Sequence, residues 1–199
     1  MSIFYRGAGI DTYWHLHNPT DIGFTARTPE VPPTTDRLMQ HISRGTNNSP
    51  FISLTLSYAV ARDYALLSSL EIPTPIKPAY VYEIEFQDPL PFGLEVLDPV
   101  KEVAQTLPSP PIIGPAYQHD GSQEFLLGVI NPRNMGHFLE RHSQQPPSSE
   151  GTPRPPNLTL ELETLVRSLR DAEILAYGTI PATCVVNCFD VYVDMHSSQ

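Results

Sequence analysis

Alternation of apolar and polar residues along short segments predicts several β-strands. The clearest is 79–86, AYVYEIEF, where aromatic and aliphatic side chains occupy every second position from Tyr80 to Phe86. Two glutamates fall on the opposite face, as in a strand with one buried side. By the same reasoning, further strands are predicted at 3–6, 51–55, 123–130, 173–178 and 183–193.

A period closer to four predicts two helices. The first covers about 56–69, and its apolar stripe is expected to contain Leu56, Ala59, Val60, Tyr64 and Leu67. The second follows residue 157, with leucines at 158, 162, 165 and 169. Many short strands, few helices and no regular alternation between them predict the α+β class.

Proline distribution suggests how the chain is organised. The sequence contains 22 prolines, and the run 143–157 combines them with serine and glutamine, a composition typical of linkers. We therefore expect a core at 1–142, a linker or insertion at 143–157, and a helix and strands at 158–199 that complete the same domain.

Charge and composition narrow the classes of partner. The net charge of −10 opposes stable binding to duplex nucleic acid through a broad basic face. No apolar run reaches the length of a membrane span, and no signal peptide is evident. We expect a cytoplasmic protein, or one exported without a visible signal peptide, that does not associate with a membrane.

The histidines and cysteines show no metal-ligand spacing, and no glycine-rich phosphate loop is present. The remaining candidates are Arg6 at the end of the first strand, Ser53 on a strand that precedes a helix, and Glu124 at the start of another strand. Arginine can clamp a diphosphate, and serine can hold a ribose. A carboxylate can stabilise the oxocarbenium ion that forms when a glycosidic bond breaks.

These residues lie in segments that resemble the ADP-ribosyltransferase fold of the arginine-serine-glutamate class, which includes toxin-like mono-ADP-ribosyltransferases. The segments are FYRG (4–7), SPFISLT (49–55), AVARDYA (59–65) and SQEFL (122–126), with IGF at 22–24. The resemblance covers roughly residues 3–140. It implies two small antiparallel sheets around a central NAD cleft, with a few flanking helices.

The resemblance also implies a role for individual residues. Arg6 would contact the NAD phosphates, the Gly7 backbone the nicotinamide amide, and Ser53 the nicotinamide ribose. Glu124 would be the catalytic carboxylate. The residues expected to bind NAD, the co-substrate, are Tyr5, Arg6, Gly7, Phe51, Ser53 and Thr55.

Alternatives remain at two points. The segment 171–185 also resembles the glutamate strand, with Asp171 two residues before Glu173, so Glu173 is the alternative carboxylate. Ser122 stands where many transferases of the family carry Glu or Gln. The expected activity is transfer of ADP-ribose from NAD to an unknown acceptor. The alternatives are NAD hydrolysis and a non-catalytic binding module.

Overall fold

The computed structural model describes residues 1–45, 48–106 and 160–193. The strands are β1 (Ser2–Ala8), β2 (Phe24–Thr25), β3 (Phe51–Thr55), β4 (Ala79–Phe86), β5 (Glu95–Leu97), β6 (Glu173–Tyr177), β7 (Thr179–Ile180) and β8 (Val185–Val191). The helices are α1 (Tyr13–Leu16), α2 (Pro19–Ile22), α3 (Thr35–Arg44), α4 (Tyr58–Leu67), α5 (Pro99–Ala104) and α6 (Leu160–Asp171). A short 3₁₀ helix (Ala182–Cys184) precedes β8.

Two antiparallel sheets organise these elements. The larger has six strands in the order β5-β6-β3-β1-β4-β8, and the smaller pairs β2 with β7. The predicted α+β class, with two antiparallel sheets and flanking helices, is confirmed. The predicted strand at 123–130 lies outside the described residues, and the central NAD cleft stays a prediction.

The chain divides into two compact units, and all strands of the described residues belong to the first. This unit comprises residues 1–33, the described part of 46–97, and the described residues from 171 onwards. Strands β6 and β8, from the C-terminal part of the chain, lie in the same sheet as β1. The predicted domain boundaries stay a prediction, because the expected linker at 143–157 lies outside the described residues.

The described part of the second unit is helical. Thr34 caps α3 by accepting a hydrogen bond from the Arg37 amide at 3.3 Å. Asp98 caps α5 by accepting from the Val100 amide at 2.9 Å. Each cap satisfies an amide that the first turn of a helix leaves without a partner. Apolar residues of all three helices are buried: Leu38, Met39, Ile42, Val100, Val103, Ala104, Leu162 and Leu165.

Alternation along the strands divides the core of the first unit between the two faces of the large sheet. One face carries Phe4, Leu54, Tyr82 and Ile84, which form a single buried cluster. On the opposite face, Val81 of β4 belongs to a second buried cluster, which consists of smaller residues and includes two alanines of the helix α4. Because both faces are covered, alternate positions of β4 are buried on either side of the sheet.

Helix α4 packs on β1 through its smallest residues, so the apolar stripe predicted for this helix is wrong. Ala61 and Ala65 are buried, whereas Leu67 is 84% exposed. At Gly7 of β1 there is no room for a Cβ atom, which would overlap the backbone carbonyl of Ala61. Large side chains would hold the helix away from the strand, so this close approach selects alanines for the contact.

No helix within the described ranges has both the length and the apolar character needed to cross a bilayer.

The packing of α4 on β1 predicts that Gly7→Ala destabilises the protein. The added methyl group meets backbone atoms, which can move only if the helix shifts. We expect the free energy of unfolding, measured by urea denaturation, to fall by about 1–3 kcal/mol. Ser2→Ala, at the exposed start of the same strand, is the control and should change it by less than about 0.5 kcal/mol. Equal stability of the two variants would contradict the steric explanation.

Candidate functional site

Arg6 lies on β1, the strand that pairs with both β3 and β4 in the middle of the large sheet. Its guanidinium Nη1 donates a hydrogen bond to the main-chain carbonyl of Ser53 on β3. Its Cζ lies 5.7 Å from the centroid of the Phe24 ring, within the range of a cation–π interaction. The side chain therefore links two neighbouring strands on one side and an aromatic ring on another.

Burial dominates the electrostatics of Arg6. Removal from water lowers the pKa of Arg6 from its ordinary value to about 10; the carboxylate of Glu173 opposes this shift, and the nearby cation Arg27 adds to it. Among the described residues, Nε of Arg6 is buried and has no hydrogen-bond partner. A buried guanidinium with an unused donor is costly, and an anionic ligand would relieve that cost.

The Phe24 ring below Arg6 is held by other aromatic side chains. Its centroid lies 4.9 Å from that of Trp14 and 5.6 Å from that of Tyr82, both in edge-to-face contact. The hydroxyl of Tyr82 donates to the main-chain carbonyl of Trp14 at 3.0 Å. Gly23, with φ of 74°, adopts the left-handed conformation that brings Phe24 into β2. The ring is thus a fixed surface beside the guanidinium.

The pairing of β3 with β6 determines where Ser53 and Glu173 stand. Ser53 is opposite Leu175, and Thr55 is opposite Glu173. Ser53 is half-buried, and so is Glu173. Arg6 bonds the Ser53 main chain and interacts electrostatically with Glu173, so these three residues lie in one region of the sheet. By register, the side chains of Ser53 and Glu173 share the face of Thr55 and Tyr5, and it is the Ser53 main chain that contacts Arg6.

Glu124, the carboxylate preferred from the sequence, lies outside the described residues, so its catalytic role stays a prediction. Glu173, the alternative, is the first residue of β6 and acts electrostatically on Arg6.

Tyr5 and Gly7, which alternate with Arg6 on β1, have packing roles. The Tyr5 ring meets the Tyr58 ring edge-to-face with 5.6 Å between centroids. Gly7 allows the close approach of α4. Both residues belong to the face opposite Arg6, as strand alternation requires. Their assignment as NAD contacts stays a prediction.

Phe51 and Thr55 on β3 are buried. The Phe51 ring lies 6.3 Å from that of Tyr177 on β6. The Thr55 hydroxyl donates to the main-chain carbonyl of Asp171 at 2.5 Å and accepts from the Ser57 amide at 3.1 Å. These contacts show that Phe51 has a packing role and that Thr55 has a hydrogen-bonding role. Their predicted role in NAD binding stays a prediction.

Arg27 was missed as a site residue in the sequence. It is exposed and lies close enough to Arg6 to lower the pKa of that residue. The signal was the segment TDIGFTAR, which contains β2 and ends in Arg27, two residues after that strand. An arginine at such a position carries no chemistry by itself, and its proximity to Arg6 depends on the pairing of β2 with β7.

The described residues contain no group of three or more histidine, cysteine, aspartate or glutamate side chains arranged to hold a metal ion.

The chain matches no protein-family model, and no curated protein matches it. Among solved structures it is similar to EcPltA, at 15% sequence identity and a TM-score of 0.46. That similarity covers 100% of this chain and 80% of the other. At this identity and score, the similarity does not establish a family or a function for this chain.

The electrostatics of Arg6 predict that Arg6→Met is at least as stable as the wild type. At a pH of about 8 we expect the melting temperature to rise by about 2–4 °C, because methionine removes a buried charge with an unused donor. Burial lowers the pKa of Arg6 in the folded protein relative to the unfolded chain, so the cost of burying its charge falls as the pH approaches about 10. The stability of the wild type should therefore rise with pH relative to that of Arg6→Met, and the advantage of the variant should shrink.

Thermal denaturation of both proteins from pH about 8 to about 10.5 tests this, since other titrations cancel in the difference. Arg62→Met, at an exposed arginine of α4, is the control and should show a constant offset. A variant markedly less stable than the wild type at every pH would contradict the inferred cost of burying Arg6.

Proposed function

We propose that the chain binds NAD and cleaves its bond between nicotinamide and ribose, passing a single ADP-ribose unit to an acceptor. The observation that carries this proposal is the buried guanidinium of Arg6, with an unused Nε donor and the carboxylate of Glu173 within electrostatic range. A cation for phosphate and a carboxylate for a positively charged sugar are the two groups that this reaction requires.

The donor set fits a diphosphate. Arg6 offers a planar fork of donors, of which Nη1 is engaged by the Ser53 carbonyl and Nε is buried without a partner in the described part of the chain. Arg27 adds a second positive charge near the first. Two guanidinium groups at close range repel each other, and an anion with two negative charges between them converts that repulsion into attraction.

The chemistry then follows from the position of Glu173. As the bond between the ribose C1′ and the nicotinamide nitrogen breaks, its electron pair leaves with the nicotinamide, which becomes neutral. Positive charge develops on the ribose ring, and the carboxylate of Glu173 stabilises it. An acceptor hydroxyl, amine or water attacks C1′ and loses its proton to solvent. The Ser53 hydroxyl would hold the ribose beside the carboxylate.

Water as the acceptor would make the protein an NAD glycohydrolase, and absence of turnover would make it a binding module. The alternatives differ in what is consumed. Transfer requires an acceptor for full turnover, hydrolysis proceeds in buffer alone, and a module binds NAD or ADP-ribose without releasing nicotinamide.

The first test follows nicotinamide release from NAD, in buffer and with added arginine, guanine nucleotides or cell lysate. We expect Glu173→Gln to lower kcat by about 10²–10³-fold, because the carboxylate acts on charge that exists only in the transition state. The Kd for NAD, measured by calorimetry, should stay within about threefold of the wild-type value.

Glu124→Gln, at the carboxylate preferred from the sequence, is the matched variant. If Glu124→Gln loses activity and Glu173→Gln keeps it, the carboxylate is assigned wrongly but the reaction stands. If the wild type releases no nicotinamide under any of these conditions, the enzymatic proposal fails, and calorimetry with NAD and ADP-ribose decides whether a binding function remains.

Arg6→Lys tests the phosphate contact. An ammonium group keeps the charge but cannot reproduce the fork of donors, so we expect affinity for NAD to fall by about tenfold or more. Arg62→Lys, the same change at an exposed arginine of α4, should leave the Kd unchanged. Equal NAD affinities for Arg6→Lys and the wild type, measured by calorimetry, would separate Arg6 from ligand binding.

A further inference from the structure

The two residues before Glu173 are held by hydrogen bonds from β3, α4 and the turn between them. The hydroxyl of Tyr64 on α4 donates to Oδ2 of Asp171 at 2.6 Å. The hydroxyl of Thr55 on β3 donates to the main-chain carbonyl of Asp171 at 2.5 Å. Asp171 is buried, with 8% of its surface exposed. Both the side chain and the main chain of this residue are therefore fixed.

The next residue is fixed as well. The Ala172 carbonyl accepts from the Leu56 amide at 3.1 Å, and Ala172 has φ of 46°. An alanine in the left-handed region costs about 1–2 kcal/mol, so surrounding contacts must stabilise this conformation. The chain leaves α6, passes through this strained residue and starts β6 at Glu173.

We infer that Tyr64 and Asp171 form a positioning pair that sets the direction of the Glu173 carboxylate. This inference rests on the proposed function, in which Glu173 acts on the ribose. The left-handed residue makes the chain turn sharply, and the angle of that turn determines where Glu173 points. The hydrogen bond from Tyr64 holds Asp171, before the turn, and the pairing with Thr55 holds Glu173, after it.

The carboxylate of Asp171 is already engaged by Tyr64, which gives it a different role from Glu173. Aspartate two residues before a catalytic glutamate could otherwise contact the acceptor directly. Here its Oδ2 accepts from Tyr64 and the residue is buried, so it acts through Glu173. A displacement of about 1 Å at a reacting group can lower a rate by about 10²-fold, so holding this turn in place has a kinetic effect.

Tyr64→Phe removes only the donating hydroxyl and is the first test. We expect kcat for nicotinamide release to fall by about tenfold or more, with KM within about twofold, because the carboxylate is misdirected while NAD binding is intact. Tyr58→Phe, on the same helix but with its ring against Tyr5, is the matched control and should keep wild-type kcat. Partial unfolding would lower the active fraction equally at all substrate concentrations, so circular dichroism and active-site titration are measured in parallel.

A second pair of variants separates positioning from loss of stability. Thr55→Val keeps the shape of the side chain but removes the hydroxyl that holds the Asp171 carbonyl, and it should lower kcat. Thr55→Ser restores the hydroxyl and should recover most of the lost rate. If both substitutions reduce kcat equally, the hydrogen bond is not the cause, and the inference is wrong.

The carbon-13 resonance of the Glu173 carboxyl group provides a reading that does not depend on turnover. We expect it to move in Tyr64→Phe and to stay in place in Tyr58→Phe. If the wild type does not turn over NAD, the proposed function fails and this resonance alone decides whether Tyr64 positions Glu173. An unchanged resonance together with unchanged kinetics in Tyr64→Phe would overturn the inference.

Discussion

The positive charge of Arg6 is the constraint around which the first unit is arranged. A guanidinium removed from water must be surrounded by groups that compensate its charge, and here these are the Ser53 carbonyl, the face of the Phe24 ring and the field of Glu173. Each compensating group comes from a different strand, so the charge can be accommodated only when β1, β2, β3 and β6 are all assembled. The Nε donor of Arg6 has no partner among the described residues, so burial of this side chain has an uncompensated cost in stability.

Packing on the opposite face of β1 meets a second constraint, which is steric. Gly7 and the alanines of α4 bring the helix against the strand, so the N-terminal end of α4 also lies near the end of β3. Tyr64, one turn beyond Ala61, thereby reaches Asp171, the last residue of α6. Residues with no chemistry of their own thus place the hydroxyl that holds the start of β6.

Strands β1, β3, β4 and β6 could be predicted because the pattern that marks a strand is local, most clearly the alternation in β4, whereas the short strands β2, β5 and β7 were not predicted. The face of α4 could not, because leucines and tyrosines outnumber its two buried alanines and only the proximity of Gly7 makes small residues necessary. Arg6 was recognisable as a cation on an apolar strand, although its predicted position at the strand end is wrong, because β1 continues to Ala8. The relation of Glu173 to Arg6 was not, because it depends on the register between strands that are more than a hundred residues apart. Arg27 was hidden for the same reason.

The strand order has a consequence for how the protein is made. Strand β1 is synthesised first and lies near the centre of the sheet, but β3 finds its outer neighbour only in β6, and Thr55 bonds a residue 116 positions later. Contacts of such long range close slowly, and during synthesis they cannot form until β6 has left the ribosome. A nascent chain therefore contains Arg6 and Ser53 well before it contains Glu173. The charge of Arg6 can meet the compensating carboxylate only after β6 has been synthesised and has paired with β3.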